Sequence, residues 1–433
     1  MKILITGAFG FVGTNLSAYL AERGHELWAL DVGGGQSAIG SKNAQRSSGE
    51  TGGASVCLPE NAERRSGNGA YARCFGWDEL DAIPWDEVEA VVHLAGKAHD
   101  TRNASDPQSY FDVNVGLTKK IISALVGKQS GIGNTQLAVG NTQSAMGGGS
   151  TNELMNLRTN ELPKVILFSS VKAVADRVEG VLAEDAVPAP RTPYGQSKLE
   201  AEELVRSASA IGGRQSAISN KQSAISNRQS AIGNEQSAVG NRQSAISNTQ
   251  SAMGGDSTHA LMNLRTHELR YYILRPCMIH GPGNKGNLNL LYGVVRRGVP
   301  WPLGAFENRR SFASIGNVCA VVEGLLTGNV AAGVYQVADD DALSTNELIE
   351  LMADTMGKRA RIWRVSKSLM RVLARGGDVL HLPLNSERLQ KLTESYVASN
   401  KKIKAALGWE WMPVDAREGM RRTIMSFEAT KNT

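Results

Sequence analysis

The sequence predicts an α/β protein: a doubly wound parallel sheet, a smaller C-terminal unit interleaved with it, and low-complexity inserts in loops. Three observations carry this expectation. The chain opens with an apolar run, a glycine-rich turn and a segment of helical period, "KILITGAFGFVGTNLSAYL" from Lys2. Further apolar runs of strand length alternate with helical-period segments along the chain. A seven-residue phrase, typified by "QSAISNK" at Gln215, recurs and reads as material set into the fold rather than part of its core.

The elements follow in order. Lys2 to Thr6 reads as a buried strand. Gly7, Gly10 and Gly13 form the turn, and Phe11, Leu16, Tyr19 and Leu20 mark the apolar face of a helix. Small residues there let the backbone approach a pyrophosphate at a helix N-terminus, where amide N–H groups and the helix dipole favour an anion. Glu26 to Leu30 reads as the next strand and ends at Asp31. A carboxylate at that point can take both hydroxyls of a ribose and would repel a 2′-phosphate, which favours NAD over NADP. "AVVHLAG" (Ala90 to Gly96), "KVILFSS" (Lys164 to Ser170) and "YYILRP" (Tyr271 to Pro276) read as further buried strands. The spacing predicts helices over about 107–125 and 194–205.

The chemical centre of the sequence is "PYGQSKLEAE". Tyr194 and Lys198 are four apart, hence on one helix face. An ammonium beside a phenol favours the phenolate, so the pair predicts a lowered tyrosine pKa, suited to a base near neutral pH. Ser170, at the end of the "FSS" strand, can hydrogen-bond the same substrate oxygen.

The repeat reads as inserted material. Gln215, Gln222, Gln229, Gln236, Gln243 and Gln250 open successive copies, with Ala and Ile adjacent (Ala217 and Ile218) and polar residues elsewhere. Adjacent apolar residues cannot make the a/d seam of a coiled coil. Abundant Ser, Gly, Asn and Gln points to disorder. Related phrases begin at Gln36 and Gln129, and "NTQSAMGG" occurs at both Asn141 and Asn248. Three inserts are therefore expected, at about 33–70, 127–162 and 211–269. About 300 residues remain without them, an ordinary size for two domains.

Composition bounds the rest. The chain has 433 residues, 41% hydrophobic and 21% charged, with a net charge of +5 and no contiguous Lys/Arg block, so no nucleic-acid partner is expected. Cys57, Cys74, Cys277 and Cys319 form no CxxC or Cys/His spacing, and His93 and His99 lack a second ligand spacing; no metal is expected. These cysteines read as reduced thiols of a cytoplasmic protein. No apolar run approaches the roughly 20 residues of a membrane span, and no membrane partner is expected. The apolar start reads as a strand and turn rather than a signal sequence.

The combination resembles the extended short-chain dehydrogenases/reductases, specifically the NAD-dependent nucleotide-sugar epimerase/dehydratase group, built on a Rossmann sheet. The matching residues are "TGAFGFVG" at Thr6, "HLAG" at His93, "FSS" at Phe168, "YGQSK" at Tyr194, "LRPCMIHGPG" at Leu274 and "NRRSFASIGNV" at Asn308. The resemblance implies an NAD-binding domain over 1–276 and a substrate-binding domain over 277–433, with 333–339 returning to the main sheet. It implies Tyr194 as acid/base, Lys198 on the nicotinamide ribose and Ser170 as the catalytic hydroxyl. Gly7, Gly10, Phe11, Gly13 and Asp31 would hold the adenosine half; Leu94, Ala95 and Gly96 would line the cofactor, with Asn114 near it. Arg310 would pair with the pyrophosphate of the sugar nucleotide, and Asn287 would contact substrate or equally cap a helix. The implied activity is UDP-sugar epimerisation through a 4-keto intermediate in bacterial polysaccharide precursor synthesis, by a homodimer. A 4-ketoreductase or dehydratase is the alternative among enzymes, and a catalytically silent NAD or nucleotide-sugar sensor the alternative of another class. Two departures bear on this. Val171 stands where many members carry the catalytic Ser/Thr, and Gly316 stands where an acid is common before Asn317.

Overall fold

Seven strands pair in the order β10-β7-β5-β4-β1-β2-β3, all parallel. They are β1 (Lys2–Thr6), β2 (Glu26–Leu30), β3 (Arg73–Phe75), β4 (Ala90–His93), β5 (Lys164–Phe168), β7 (Tyr271–Pro276) and β10 (Gly333–Val337). The computed structural model describes residues 1–31, 71–98, 106–143, 163–209, 269–284, 286–380 and 385–429. The repeat-bearing inserts lie outside these, apart from the stretch up to Gln143 and Leu269.

Most of the sheet is buried on both faces, as its unbroken apolar runs require. Successive side chains go to opposite sides. Ile3 and Ile5 join Leu16 and Leu20 of helix α1 (Phe11–Ala21) and Val318 and Leu325 of α5 (Ile315–Thr327). Leu4 and Val91 face the other way, against Ile121 and Leu125 of α2 (Gln108–Gln143). Helix α3 (193–209) covers the same side through Ala201 and Val205. Helix α2 continues well past the expected end near 125. The apolar period that set that expectation reports contact with the sheet; a nucleated helix propagates cheaply after contact ends.

The strand order reverses between β1 and β4, the crevice where such sheets bind ligands. Around it sit elements from the C-terminal part. β8 (Met278–His280) pairs with β9 (Phe312–Ser314), which runs directly into α5. Helices α4 (Asn287–Arg296), α6 (Thr345–Thr355) and α10 (Ala416–Ala429) share a second core of Tyr292, Phe312, Met352, Met420 and Phe427. α6 starts with a capping box in which Ser344 and Glu347 satisfy each other's backbone N–H. Helices α7 (Lys367–Leu380) and α8 (Ser386–Thr393) pack on Leu303 through Met370, Ala374 and Leu389. β11 (Val397–Ala398) pairs with β6 (Val181–Leu182), and α9 (Lys401–Leu407) lies against α5 and β10.

Candidate active site

The glycine turn is pressed into the carboxyl end of the sheet. Gly7 has φ +67°, and a Cβ there would lie 2.8 Å from the Ala95 nitrogen. At Gly13 a Cβ would lie 2.4 Å from the Ala8 carbonyl oxygen. The turn thus touches both the end of β4 and the first turn of α1. Gly10 caps α1 with no side-chain hydrogen bond, so no side chain competes at Gly10 with an anion approaching the first-turn N–H groups. The Asp31 carboxylate accepts from the Phe9 N–H at 3.0 Å, which puts the acid of β2's end against the turn. Phe11, at the head of α1, approaches Gly281 and Gly283.

Beyond β4 the chain is held by polar contacts. Ala95 N–H donates to Thr6 Oγ1 at 3.1 Å. The buried Asn114 accepts from Lys97 N–H at 2.8 Å and donates to Ser197 Oγ at 3.0 Å, joining the 96–98 loop to α3. A Cβ on Gly96 would lie 2.8 Å from Asn114 Oδ1 and 2.9 Å from Lys198 Nζ. Gly7, Gly13 and Gly96 therefore sit where a side chain would collide, with the Asp31 carboxylate beside the turn and the Lys198 ammonium beside Gly96. Those features fit a dinucleotide with a ribose at each end.

The second half of the site comes from α3 and the loop after β5. Asp176 accepts from Arg191 N–H at 2.6 Å and from Thr192 Oγ1 at 2.8 Å, lashing the start of α3 to that loop. A Cβ on Gly195 would lie 2.4 Å from the Lys172 carbonyl, another close approach. This brings the Tyr194 hydroxyl near enough to the Ser170 side chain for the serine to favour the phenolate. Lys198 Nζ donates to the Phe168 carbonyl at 3.1 Å. The Tyr194 ring meets the Tyr110 ring edge-on, with centroids 6.0 Å apart.

The electrostatics differ from the sequence expectation. Burial raises the Tyr194 pKa, the Ser170 side chain opposes that, and Tyr110 adds to it; the net shift is upward. Burial also pushes Lys198 down, to about 8, against the attraction of Glu202. The lysine is turned to a carbonyl, and desolvation outweighs what its charge does for the phenol.

Val171 is buried beside Val174 and Cys277, and its carbonyl accepts from Tyr396 Oη at 3.1 Å. Ser170, one position earlier, is the hydroxyl that meets Tyr194. Gly316 faces Val414, where a Cβ would come within 3.0 Å of a methyl. Asp339 supplies an acid to the same region, accepting from Ser314 N–H and Asn317 Nδ2. His93 bonds Thr6 and Thr118 and is pushed down to about 3, chiefly by burial and then by Lys198, so it is neutral. No three metal-ligating side chains cluster among the described residues.

The remaining candidates come from the C-terminal part. Asn287 is the first residue of α4, after the cap Gly286. The Arg310 guanidinium donates to the Lys391 carbonyl and, at 3.1 Å, to the Glu394 carbonyl, gripping the end of α8. It is close enough to Lys172 to disfavour that lysine's charge.

Sequence reasoning missed the groups behind the pair. Glu202 is fully buried; Ser169 Oγ donates to it at 2.6 Å and Arg275 bonds it through two nitrogens at 2.8 and 2.6 Å. Its position, one helical turn beyond Lys198, was the available signal.

A model of the family described as "NAD dependent epimerase/dehydratase family" matches residues 3–236. The chain belongs to that family. Among relatives of this epimerase/dehydratase member, the UDP-glucose 4-epimerase of Vibrio cholerae is 28% identical over 162 residues, 37% of this chain and 47% of the relative. The dTDP-glucose 4,6-dehydratase of Escherichia coli is 25% identical over 212 residues, 48% of this chain and 50% of the relative. The chain thus spans about half the length of these curated relatives. A solved UDP-glucuronic acid 4-epimerase from Bacillus cereus in complex with NAD has a TM-score of 0.55, with 16% identity and 99% of each chain covered. That likeness shows the fold.

Proposed function

We propose that this family member is an NAD-dependent epimerase of a nucleotide sugar, most simply a UDP-sugar, acting through a 4-keto intermediate in polysaccharide precursor synthesis. The observation that carries the reading is Ser170 near enough to Tyr194 to act on its phenol, one turn from Lys198, beside the glycine turn and Gly96. NAD, when bound, supplies hydride transfer. Tyr194, once it has released its own proton, takes that of the sugar 4-hydroxyl and later returns it. Ser170 hydrogen-bonds the same oxygen and polarises the ketone. Lys198 keeps a positive charge near the phenol and holds ribose hydroxyls. Asp31 takes the other ribose, and Arg310 the sugar-nucleotide pyrophosphate once its fork leaves the α8 carbonyls.

The nearness of Ser170 to Tyr194 also argues against a silent sensor, since a hydroxyl absent at 171 is available next door. The test is product NMR on a panel of UDP-sugars, with and without added NAD. Inversion at C4 with no net oxidation is expected. Net reduction of a 4-keto sugar, loss of water, or no turnover across the panel would overturn the epimerase reading.

A further inference from the structure

The sequence showed no long Lys/Arg block, because its basic residues come singly or in pairs between apolar ones. Lys358 to Asp378 contains seven basic residues and one acid, a net +6 in a chain whose total is +5. On α7, Lys367, Arg371 and Arg375 repeat every four residues and form one exposed row. Met370 and Ala374 are buried against Leu303 and Leu389. Leu369, Val372 and Leu373, at helical spacing, are 51%, 62% and 51% exposed. Trp363, just upstream, is 59% exposed. The strip before α7 extends the basic surface: Lys358 Nζ donates to the Arg296 carbonyl and Arg361 to the Gly298 carbonyl. That places Arg296, Arg297 and the half-exposed Val299 alongside.

An exposed apolar stripe beside a basic row, with a tryptophan at its edge, is the chemistry of a helix lying in the headgroup region of a bilayer. Nucleic acid would use the arginines and leave the leucines unexplained. A second copy of this chain would bring the same positive charge against itself. We propose that α7 and the strip before it dock on an anionic membrane surface. No helix among the described residues is long and apolar enough to cross a membrane, and surface docking needs none.

The full chain would be floated with vesicles of phosphatidylcholine alone and with phosphatidylglycerol at about one part in three. Binding to the anionic vesicles only, weakening with salt, is expected. Replacing Arg371 and Arg375 by Gln should lower partitioning on the order of tenfold or more. Leu373→Asp should do the same by removing the inserted face. Both variants should keep wild-type circular dichroism and turnover on a soluble sugar nucleotide. Trp363 emission should shift to the blue on anionic vesicles, a shift missing in Trp363→Phe. Absence of binding at low salt, or variants that bind like wild type, would overturn the proposal. So would equal binding to zwitterionic vesicles, salt-sensitive capture of DNA without vesicle binding, or a dimer abolished by Leu373→Asp without vesicle binding.

Discussion

At Tyr194 two effects oppose each other, and burial prevails: the phenol is harder to ionise than in water although Ser170 donates stabilisation to its anion. The resting site therefore holds the proton on Tyr194 at neutral pH. Tyr194→Phe should lower turnover by about 10²–10⁴-fold while leaving cofactor affinity within a few-fold, because only the proton carrier is lost. Cofactor titration beside steady-state kinetics checks both halves. Gly96 offers a complementary probe. A methyl there would lie 2.9 Å from Lys198 Nζ and 2.8 Å from Asn114 Oδ1. Gly96→Ala should cost ~1–3 kcal/mol of overpacking, with a weakened cofactor Kd as well as a lower kcat. A Kd equal to wild type would remove Gly96 from the cleft wall. Both residues were legible from sequence, since glycine at a strand end and tyrosine four before lysine state their geometry locally. The direction of the Tyr194 shift was not legible: it depends on how deeply the ring is buried, a property of the packed molecule.

Along α3, Tyr194, Lys198 and Glu202 occupy successive turns, and Glu202 is neutralised from a neighbouring strand by Arg275. Removing one partner leaves the other charged and dry. Glu202→Gln should destabilise by about 3–5 kcal/mol in denaturant titration. It also withdraws the attraction that keeps Lys198 protonated, so the alkaline limb of the pH–rate profile should move to lower pH. An unmoved limb would confine Glu202 to a structural role. Asp340 makes a second inter-element joint, between the end of β10 and α9. Burial opposes its ionisation, but hydrogen bonds from Lys404, Met412 N–H and Asn400 outweigh this and hold it below its ordinary 3.8. A carboxylate depressed on folding stabilises above its unfolded pKa and loses that contribution as pH falls through the folded value. Asp340→Asn should thus be less stable than wild type at neutral pH, and the gap should close below about pH 3.8. Denaturant melts at several pH values would show it. Contacts of this kind join residues far apart in sequence, which is why neither Glu202–Arg275 nor Asp340 could be read before the chain was folded.

For the whole molecule, the sheet was readable because each strand is an unbroken apolar run between helices. β3, β6 and β11 were not, being two or three residues long and fixed by their neighbours. The longest repeat tract falls in sequence between α3 and β7, and the end of α3 meets the start of β7 at the amino ends of the parallel strands, opposite Ser170 and the glycine turn. Loop closure grows slowly with length, roughly 0.6 kcal/mol per doubling, so removing it changes little. Deletion of Gly212 to Thr266 with a short linker should leave turnover within a few-fold. Loss of activity in a folded deletion variant, assayed with sedimentation alongside, would give the repeats a working role.

The place of β10 in the sheet has a consequence for synthesis on the ribosome. β7 ends at Pro276, but its edge partner ends at Val337. At translation speeds of 5–20 residues per second, the roughly sixty residues between them keep a long apolar strand edge open for about 3–12 s on every nascent chain. The contact of Tyr396 with the Ser170 loop forms later still. An N-terminal half can therefore collapse around its glycine turn while the loop after β5 waits for a residue made 225 positions later. During that interval the growing chain, rather than the folded molecule, is the species most in need of a chaperone.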